Sequence, residues 1–229
     1  MVATGANPLG AILHATGTGN NFSAFVRELP SVTSSLPGAA IAFHPSGYDY
    51  VIGALGPVLE NVSNGVSTPL TPITNLVNTL ASPVDVADLP GAFGLEILAA
   101  FDNSGQLAAY GNIQPSSEPA YWTTPVLIAP PNGTSFTFSP AVCGDAGLRA
   151  TQLVHIVAVA SGQVWDTWTS SFGNTFSAWE RIGTQGASAP DCTMMGDESV
   201  HVVTLSAAGH ILDIYGSPGS WATTDLGTF

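Results

Sequence analysis

The sequence predicts an all-β chain made of small repeated sheets. Short apolar runs rich in β-branched and aromatic residues alternate with segments rich in Gly, Ser, Asn and Pro, which is the pattern of strands and turns. A glycine follows such a run at regular intervals, and the residues around it recur. At 229 residues the chain is long enough to bury a substantial core.

The recurring glycines define five units. Two stretches, VHIVAVASGQVWDTWTSSFGNTFSAWERIG and VHVVTLSAAGHILDIYGSPGSWATTDLG, align as apolar strand, glycine turn, second strand and tryptophan. Extending this template toward the N-terminus places the turn glycines 46 to 57 residues apart, at Gly10, Gly56, Gly105, Gly162 and Gly209. The units then cover approximately 1–33, 34–82, 83–133, 134–186 and 187–229, within a single domain of residues 1–229.

Units of this length with four strands each have the size of a β-propeller blade, in which radial repetition protects the sheet edges. We therefore expect a propeller of about five four-stranded blades. A β-sandwich is the structural alternative, although the repeat is short for one. The first unit begins at its second strand, so we expect its innermost strand to be missing or to be supplied by the C-terminal DLGTF, or the ring to close in a different way.

Side chains also recur at fixed distances from the turn glycines. The large apolar position that follows holds Phe25, Ile73, Trp122, Trp179 and Trp221. The position four residues after each glycine holds His14, Glu60, Ala109, Asp166 and Asp213. The position seven to nine residues before it holds Asp49, Glu96, His155 and His201. Cys143 and Cys192 also take corresponding places, which favours a disulfide between them, with two buried thiols as the alternative.

Composition and charge exclude several classes of partner. The chain has three Lys and Arg residues in total against sixteen Asp and Glu, and its net charge of −13 repels phosphate backbones, so nucleic-acid binding is not expected. Only 8% of residues are charged, which is typical of extracellular surfaces and predicts a secreted or surface-displayed protein. The apolar runs are far shorter than a bilayer span, so membrane insertion is not expected either.

A family resemblance rests on the strand with an early histidine, the glycine turn and the following aromatic strand. The segments LVHIVAVASGQVWDTWTSS, SVHVVTLSAAGHILDIYG and GAILHATG resemble blades of tectonin-type and related bacterial and fungal propeller lectins. The second-strand histidine of that family is present at His14 and is replaced elsewhere by Glu60, Ala109, Asp166 and Asp213. The resemblance implies a protein that binds glycans or glycoconjugates between adjacent blades.

A sugar site needs an aromatic plate and hydrogen-bonding groups held on rigid strands, because sugars present apolar C–H faces flanked by hydroxyls. The predicted plates are Trp122, Trp165, Trp168, Trp179, Tyr215 and Trp221. The predicted hydrogen-bonding residues are His14, His155, Asp166, His201 and Asp213. Trp165 and Trp168 flank Asp166 and are predicted to share the strand face opposite to it. The alternative is that the tryptophans pack between sheets and the polar residues bond to a neighbouring backbone.

The sequence therefore predicts a non-catalytic lectin with several equivalent sites between blades, and no cofactor or metal, since no metal-ligand spacing is present. One alternative is a structural or receptor-contacting component of a virion or extracellular assembly, which would include association with further copies of the chain. A second alternative is a propeller glycoside hydrolase. Hydrolysis needs one asymmetric pair of carboxylates, whereas these carboxylates recur from unit to unit.

Overall fold

A computed structural model of the chain shows an all-β fold. It describes residues 80–87, 97–111, 122–144, 153–169, 175–197 and 199–228 with their side chains, and elsewhere the backbone of the strands alone. In chain order the described strands are β1 (Val2–Thr4), β2 (Ile12–His14), β3 (Gly17–Thr18), β4 (Asn21–Phe22), β5 (Val26–Arg27), β6 (Ala39–His44), β7 (Gly47–Ile52), β8 (Leu59–Ser63), β9 (Thr71–Pro72), β10 (Asp85–Leu89), β11 (Leu95–Phe101), β12 (Leu107–Asn112), β13 (Val126–Ile128), β14 (Ala141–Gly144), β15 (Val154–Ala160), β16 (Gln163–Thr169), β17 (Glu180–Gly183), β18 (Asp191–Met194), β19 (Val200–Leu205), β20 (Ile211–Ser217) and β21 (Ser220–Gly227). A 3₁₀ turn, Pro131–Gly133, precedes β14.

Within these described strands, five antiparallel sheets follow one another along the chain. The first sheet is β1–β2–β5, the second β6–β7–β8–β9, the third β10–β11–β12–β13, the fourth β14–β15–β16–β17 and the fifth β18–β19–β20–β21. A separate two-stranded ribbon pairs β3 with β4. The prediction of an all-β chain with four-stranded sheets is confirmed.

The first strands of successive sheets lie side by side. β6 contacts β10, β10 contacts β14, and β14 contacts β18. The first strands of the second to fifth sheets therefore form a row, which is the arrangement expected of the inner strands of neighbouring propeller blades.

The sheets pack face to face through two apolar clusters. Side chains alternate between the faces of a strand, so β15 contributes Ile156 and Ala158 to the contact with the third sheet and Val157 and Val159 to the contact with the fifth. All four are completely buried. The continuous apolar run of β15 is therefore explained by burial on both faces.

The hairpin turns explain where the repeat shifts register. In the third sheet the amide of Asp102 donates to the carbonyl of Gln106, and in the fifth Ser206 donates to His210 in the same way. The fourth sheet has a shorter two-residue turn, Ser161–Gly162, with φ angles of 50° and 72°. Both residues have positive φ, which is typical of a type I′ turn.

When positions are counted from the hairpin turns instead of from the glycines, one predicted set of equivalent residues, the one that contains His155 and His201, has to be corrected. Counted from the residue pair that closes each hairpin, His155, His201 and Ile97 each belong to the sixth pair of their sheet. The placement of Glu96 in the histidine column is wrong, because Glu96 pairs with Asn112 one step further from the turn. A shift of one residue places a side chain on the other face of the strand.

A disulfide joins the fourth and fifth sheets at their first strands. Cys143 in β14 is bonded to Cys192 in β18, with their Cα atoms 5.7 Å apart, which confirms the predicted bridge. Their equivalent placement is wrong, however: Cys143 is opposite His155, and the residue opposite His201 is Thr193. Because of this one-residue offset, Cys143 is on the face of the fourth sheet that packs against the fifth, and Cys192 is on the face of the fifth sheet that packs against the fourth. The two sulfur atoms can therefore meet.

A hydrogen bond to a carboxylate links the first strands of the third and fourth sheets. Asp85 Oδ2 accepts a hydrogen bond of 2.7 Å from the amide of Val142, and Oδ1 accepts one of 2.9 Å from Val86. Burial raises the pKa of Asp85 to about 6, and these two amide donors oppose the rise. Asp191 lies close enough to raise it further.

Asp85 should make stability fall as the pH rises. Its pKa is about 6 in the folded chain and 3.8 in an unperturbed carboxyl, so the folded state binds the extra proton between these values and loses this advantage above them. Asp85→Asn keeps an acceptor for Val142 but cannot titrate. We expect urea unfolding to show the variant gaining about 2 kcal/mol relative to the parent between pH 4 and 6.5. Parallel pH profiles for the two proteins would contradict this.

Candidate functional site

The fourth and fifth sheets present the same three side chains in the same register. His155 is opposite Trp168 across β15 and β16, and His201 is opposite Tyr215 across β19 and β20. Asp166 and Asp213 precede these aromatic residues by two positions and so share their strand face. Diagonal neighbours of this kind lie within reach of each other across a strand pair. We call each set a His–Asp–aromatic trio.

In the fourth sheet the trio is enclosed. His155 Nδ1 lies 2.9 Å from Asp166 Oδ2, and the side chains are 1% and 0% exposed. The indole of Trp168 is tilted over the imidazole with ring centroids 6.2 Å apart. Burial raises the pKa of the Asp166 carboxyl, and the His155 hydrogen bond opposes the rise. Among the described residues Asp166 Oδ1 has no hydrogen-bond partner. The His155–Asp166 pair cannot be reached by a ligand, although Trp168 of the same trio is partly exposed.

In the fifth sheet the same trio is open. His201 Nδ1 lies 3.1 and 3.2 Å from the two carboxylate oxygens of Asp213, and the side chains are 31% and 21% exposed. The ring of Tyr215 stacks on the imidazole at 5.5 Å with an angle of 14° between the planes. Val203, which pairs with Asp213, is exposed, whereas its counterpart Val157 is buried. The difference between the trios is therefore coverage, not side-chain geometry.

The third sheet carries no trio. Its corresponding positions are Ile97, Ala109 and Gly111, which continue the apolar contact with the fourth sheet. Ala109 occupies the place that the sequence predicts for the acidic column. The residues at the trio positions are thus apolar in the third sheet, polar and buried in the fourth, and polar and open to solvent in the fifth.

A cavity of about 380 Å³ adjoins the open trio. Tyr215 and Trp221 supply aromatic surface, and Asp197, Ser199, Ser217 and Ser220 supply polar groups. Ser199 donates hydrogen bonds to Asp197 Oδ1 from its hydroxyl at 2.6 Å and its amide at 3.1 Å, and these bonds lower the pKa of that carboxyl. Asp197 is therefore held as a fixed acceptor at the rim.

Gly216 shapes the floor of this cavity. Its φ is 154°, and a Cβ added there would overlap the carbonyl oxygen of Ser220. Only glycine lets β20 and β21 close so tightly that Trp221 comes opposite Gly216. Sequence reasoning missed Gly216, Asp197 and Ser199; the Gly-Ser-Pro-Gly turn was the signal for the first of them.

The other predicted plates have different surroundings. Trp122 is 2% exposed and belongs to a core cluster with Leu80 and Val84. Trp179 packs on the cluster between the third and fourth sheets, and its indole N–H donates to the carbonyl of Ala129 at 2.8 Å. Both are packing residues, which is the alternative that the sequence left open.

Trp165 and Trp168 do not share a face. Trp165 is buried and pairs with Ala158, whose face meets the third sheet, whereas Trp168 is on the face of Asp166. The predicted sharing of a face is wrong because residues two apart, not three, return to the same side of a strand. Of the remaining predicted residue, His14, the structure describes the backbone in β2.

Two searches of sequences return nothing: no family model matches the chain, and no curated protein matches it. Solved structures do match. A point variant of the Aleuria aurantia lectin in complex with α-methyl-L-fucoside has a TM-score of 0.64 at 10% identity, covering 99% of this chain and 73% of that one. The BP39L lectin from Burkholderia pseudomallei scores 0.67 at 15% identity, covering 96% and 64%. The SapL1 lectin in complex with α-methyl fucoside scores 0.61 at 11%, covering 97% and 79%.

The chain has the fold of these lectins, which are β-propellers. Identities of this size establish the shared architecture and nothing finer. The tectonin-type resemblance stays a prediction, because these matches are to another group of propeller lectins. The chain spans about two thirds to three quarters of their length.

Two further features were sought in the described part of the chain. It contains no helix with the length and apolar character needed to cross a membrane. Its His, Cys, Asp and Glu side chains do not come together in any group of three that could hold a metal ion.

Proposed function

We propose that the chain is a non-catalytic lectin built of about five propeller blades with the outer face of the fifth sheet left uncovered, and that the open trio of this sheet with its adjoining cavity binds a neutral sugar. The observation that carries this proposal is the partly exposed Asp213 carboxylate held by His201 beside the exposed ring of Tyr215. A fixed carboxylate accepts hydrogen bonds from sugar hydroxyls, and an aromatic ring packs on the C–H face. Solved lectins of this fold hold fucosides, which supports a sugar ligand.

Charge favours a neutral ligand. Asp213 and Asp197 both border the site, and the chain carries a net charge of −13, so sugars with a carboxylate or sulfate are repelled. The absence of catalysis is supported by Asp166, whose position equals that of Asp213 although it is sealed from any substrate. A recurring carboxylate of this kind serves recognition or packing, not a single acid–base pair.

The disulfide supports an extracellular location, because such bonds persist in oxidising compartments. A sugar site formed by one trio and one shallow cavity binds weakly, so useful avidity comes from several sites or several copies.

Asp213→Ala should weaken sugar binding. Removing a charged acceptor costs about 1.5 to 3 kcal/mol, which is roughly 10- to 100-fold in Kd. Calorimetry with the best ligand from a glycan array measures this. Asp225→Ala is the matched control, since it removes the same charge from the same sheet at the exposed His210–Asp225 pair, 2.7 Å apart, and should leave Kd unchanged. An array without any saccharide hit would overturn the proposal.

One observation favours a second candidate, the assembly component. The outer face of the fifth sheet exposes Val203, Tyr215 and Leu226, and the equivalent face of the fourth sheet is covered by a sheet. A further sheet from another copy would fit there and would bury the trio. Light scattering after size exclusion separates the candidates: a monomer that binds sugar supports the lectin, and an oligomer that binds none supports assembly.

A further inference from the structure

A second cavity, of about 610 Å³, lies at the hairpin end of the third sheet, away from both trios. It opens between the β11–β12 hairpin and the linker that leads from β13 into β14. This linker is residues 129–140, twelve residues long, whereas the equivalent linker between β17 and β18 is residues 184–190, seven residues long. The extra length includes the Pro131–Gly133 turn.

The shorter linker leaves no such space. The amide of Gly186 donates to the carbonyl of Gly162, and a Cβ on Gly186 would come within 3.0 to 3.1 Å of Val164 and Val159. The gap between the fourth and fifth sheets is therefore filled at this level by close packing. The cavity is a property of the longer linker, not of the repeat.

A stacked pair of phenylalanine rings lines part of the cavity. The rings of Phe101 and Phe136 are parallel within 3° with centroids 4.4 Å apart. Trp179 contacts Phe136 at 5.6 Å, and its bond to Ala129 fixes the start of the linker. Phe136 is also bridged to Ala160. This surface is held from two sheets and does not need a ligand to form.

Polar groups line the walls on both sides. From the hairpin come Asp102, Ser104 and Gln106, and from the linker come Thr134, Ser135 and Ser139. Asp102 Oδ1 accepts hydrogen bonds of 2.7 to 3.0 Å from the hydroxyl and amide of Ser104 and the amide of Gln106, which fixes the hairpin wall. The lining contains no Lys, Arg or His, so it offers hydroxyls, an amide and a carboxylate without a positive charge.

We infer that this cavity is a second saccharide site, distinct from the trio site and built by the 129–140 linker. Its volume lies in the range of small-molecule sites, and aromatic surface from a stacked phenylalanine pair beside hydroxyl and amide groups matches a neutral sugar with one apolar face. Anionic ligands are disfavoured because nothing in the lining balances their charge. The site makes the lectin asymmetric, with one ligand position that the junction between the fourth and fifth sheets lacks.

The test uses the Asp213→Ala protein, isotope-labelled, so that the trio site does not contribute. Methyl α-glycosides of glucose, mannose, galactose, fucose and N-acetylglucosamine are titrated by NMR, with N-acetylneuraminic acid as an acidic comparison. We expect at least one neutral glycoside to shift the amides of 104–106 and 134–137 saturably, and the acid to leave them unmoved.

Ser135→Trp, which places a bulky ring at the exposed lip of the cavity, should raise the Kd about tenfold or more. Ala207→Trp adds the same ring at an exposed turn of the fifth sheet and should change nothing. The inference is overturned if no neutral glycoside gives saturable shifts, if Ser135→Trp leaves Kd unaltered, or if the acid binds equally well. Each of these outcomes leaves the trio site untouched, because that site is tested in the parent protein.

Discussion

Asp166→Ala is expected to lower the free energy of unfolding by about 3 to 5 kcal/mol, because removing one member of a buried polar pair leaves the other without its partner. His155 is 1% exposed and its Nδ1 would lose the oxygen that lies 2.9 Å away. The surrounding valines of β15 offer no replacement. Chemical unfolding followed by tryptophan fluorescence measures the loss.

The chain supplies its own control for this prediction. Asp213→Ala removes the equivalent carboxylate where the pair is open to water, and exposed pairs contribute about 0 to 1 kcal/mol. Asp166→Asn, which keeps an acceptor for His155, should lose less than Asp166→Ala. Equal losses for Asp166→Ala and Asp213→Ala would show that coverage by the fifth sheet does not set the energetics of the trios.

Loss of the Cys143–Cys192 bond is expected to cost about 4 kcal/mol, the loop-closure value for a crosslink that spans 49 residues. Between the third and fourth sheets the equivalent residues are Ala87 and Val142, which form an apolar contact. The double variant Cys143→Ala with Cys192→Val copies this contact and so removes the crosslink while keeping the packing.

Urea unfolding of this variant, with and without reductant, isolates the crosslink. The parent should lose about the same 4 kcal/mol when reduced, and the variant should be insensitive to reductant. Cys143→Ser with Cys192→Ser should fall lower still, because Cys143 is buried and hydroxyls there lack partners. A parent protein whose stability does not respond to reductant would contradict the prediction.

The sequence was sufficient to predict the sheets and the trio positions. Side chains that recur at fixed distances from each turn constrain the register of the strands as well as the length of each unit. The sequence did not predict reliably on which face of its strand each side chain lies. Counting from the glycines does not fix which residues pair between strands, so Glu96 was placed one residue from Ile97, the counterpart of the histidines, and Cys192 one residue from Thr193, the counterpart of Cys143. Trp168 was assigned to the wrong face by the same kind of parity error.

The sequence also did not predict which trio is covered by a neighbouring sheet. His155 and His201 are preceded and followed by nearly the same residues, and what separates them is whether another sheet lies on top. The cavity of the 129–140 linker was missed for a related reason. A longer linker shows in the sequence, but whether its extra residues fill a gap or enclose one depends on Phe136 reaching Phe101.

The bond between Cys143 and Cys192 also changes how the chain would carry mechanical load. Tension applied at the two termini passes directly from β14 to β18 through the disulfide, and β15, β16 and β17, which lie between the two cysteines in the chain, carry no load. The 49-residue segment between the cysteines, about 160 to 180 Å long when fully extended, cannot lengthen under tension until the disulfide is reduced. A stretched molecule on a surface would keep its best-buried sheet intact while its neighbours unravel.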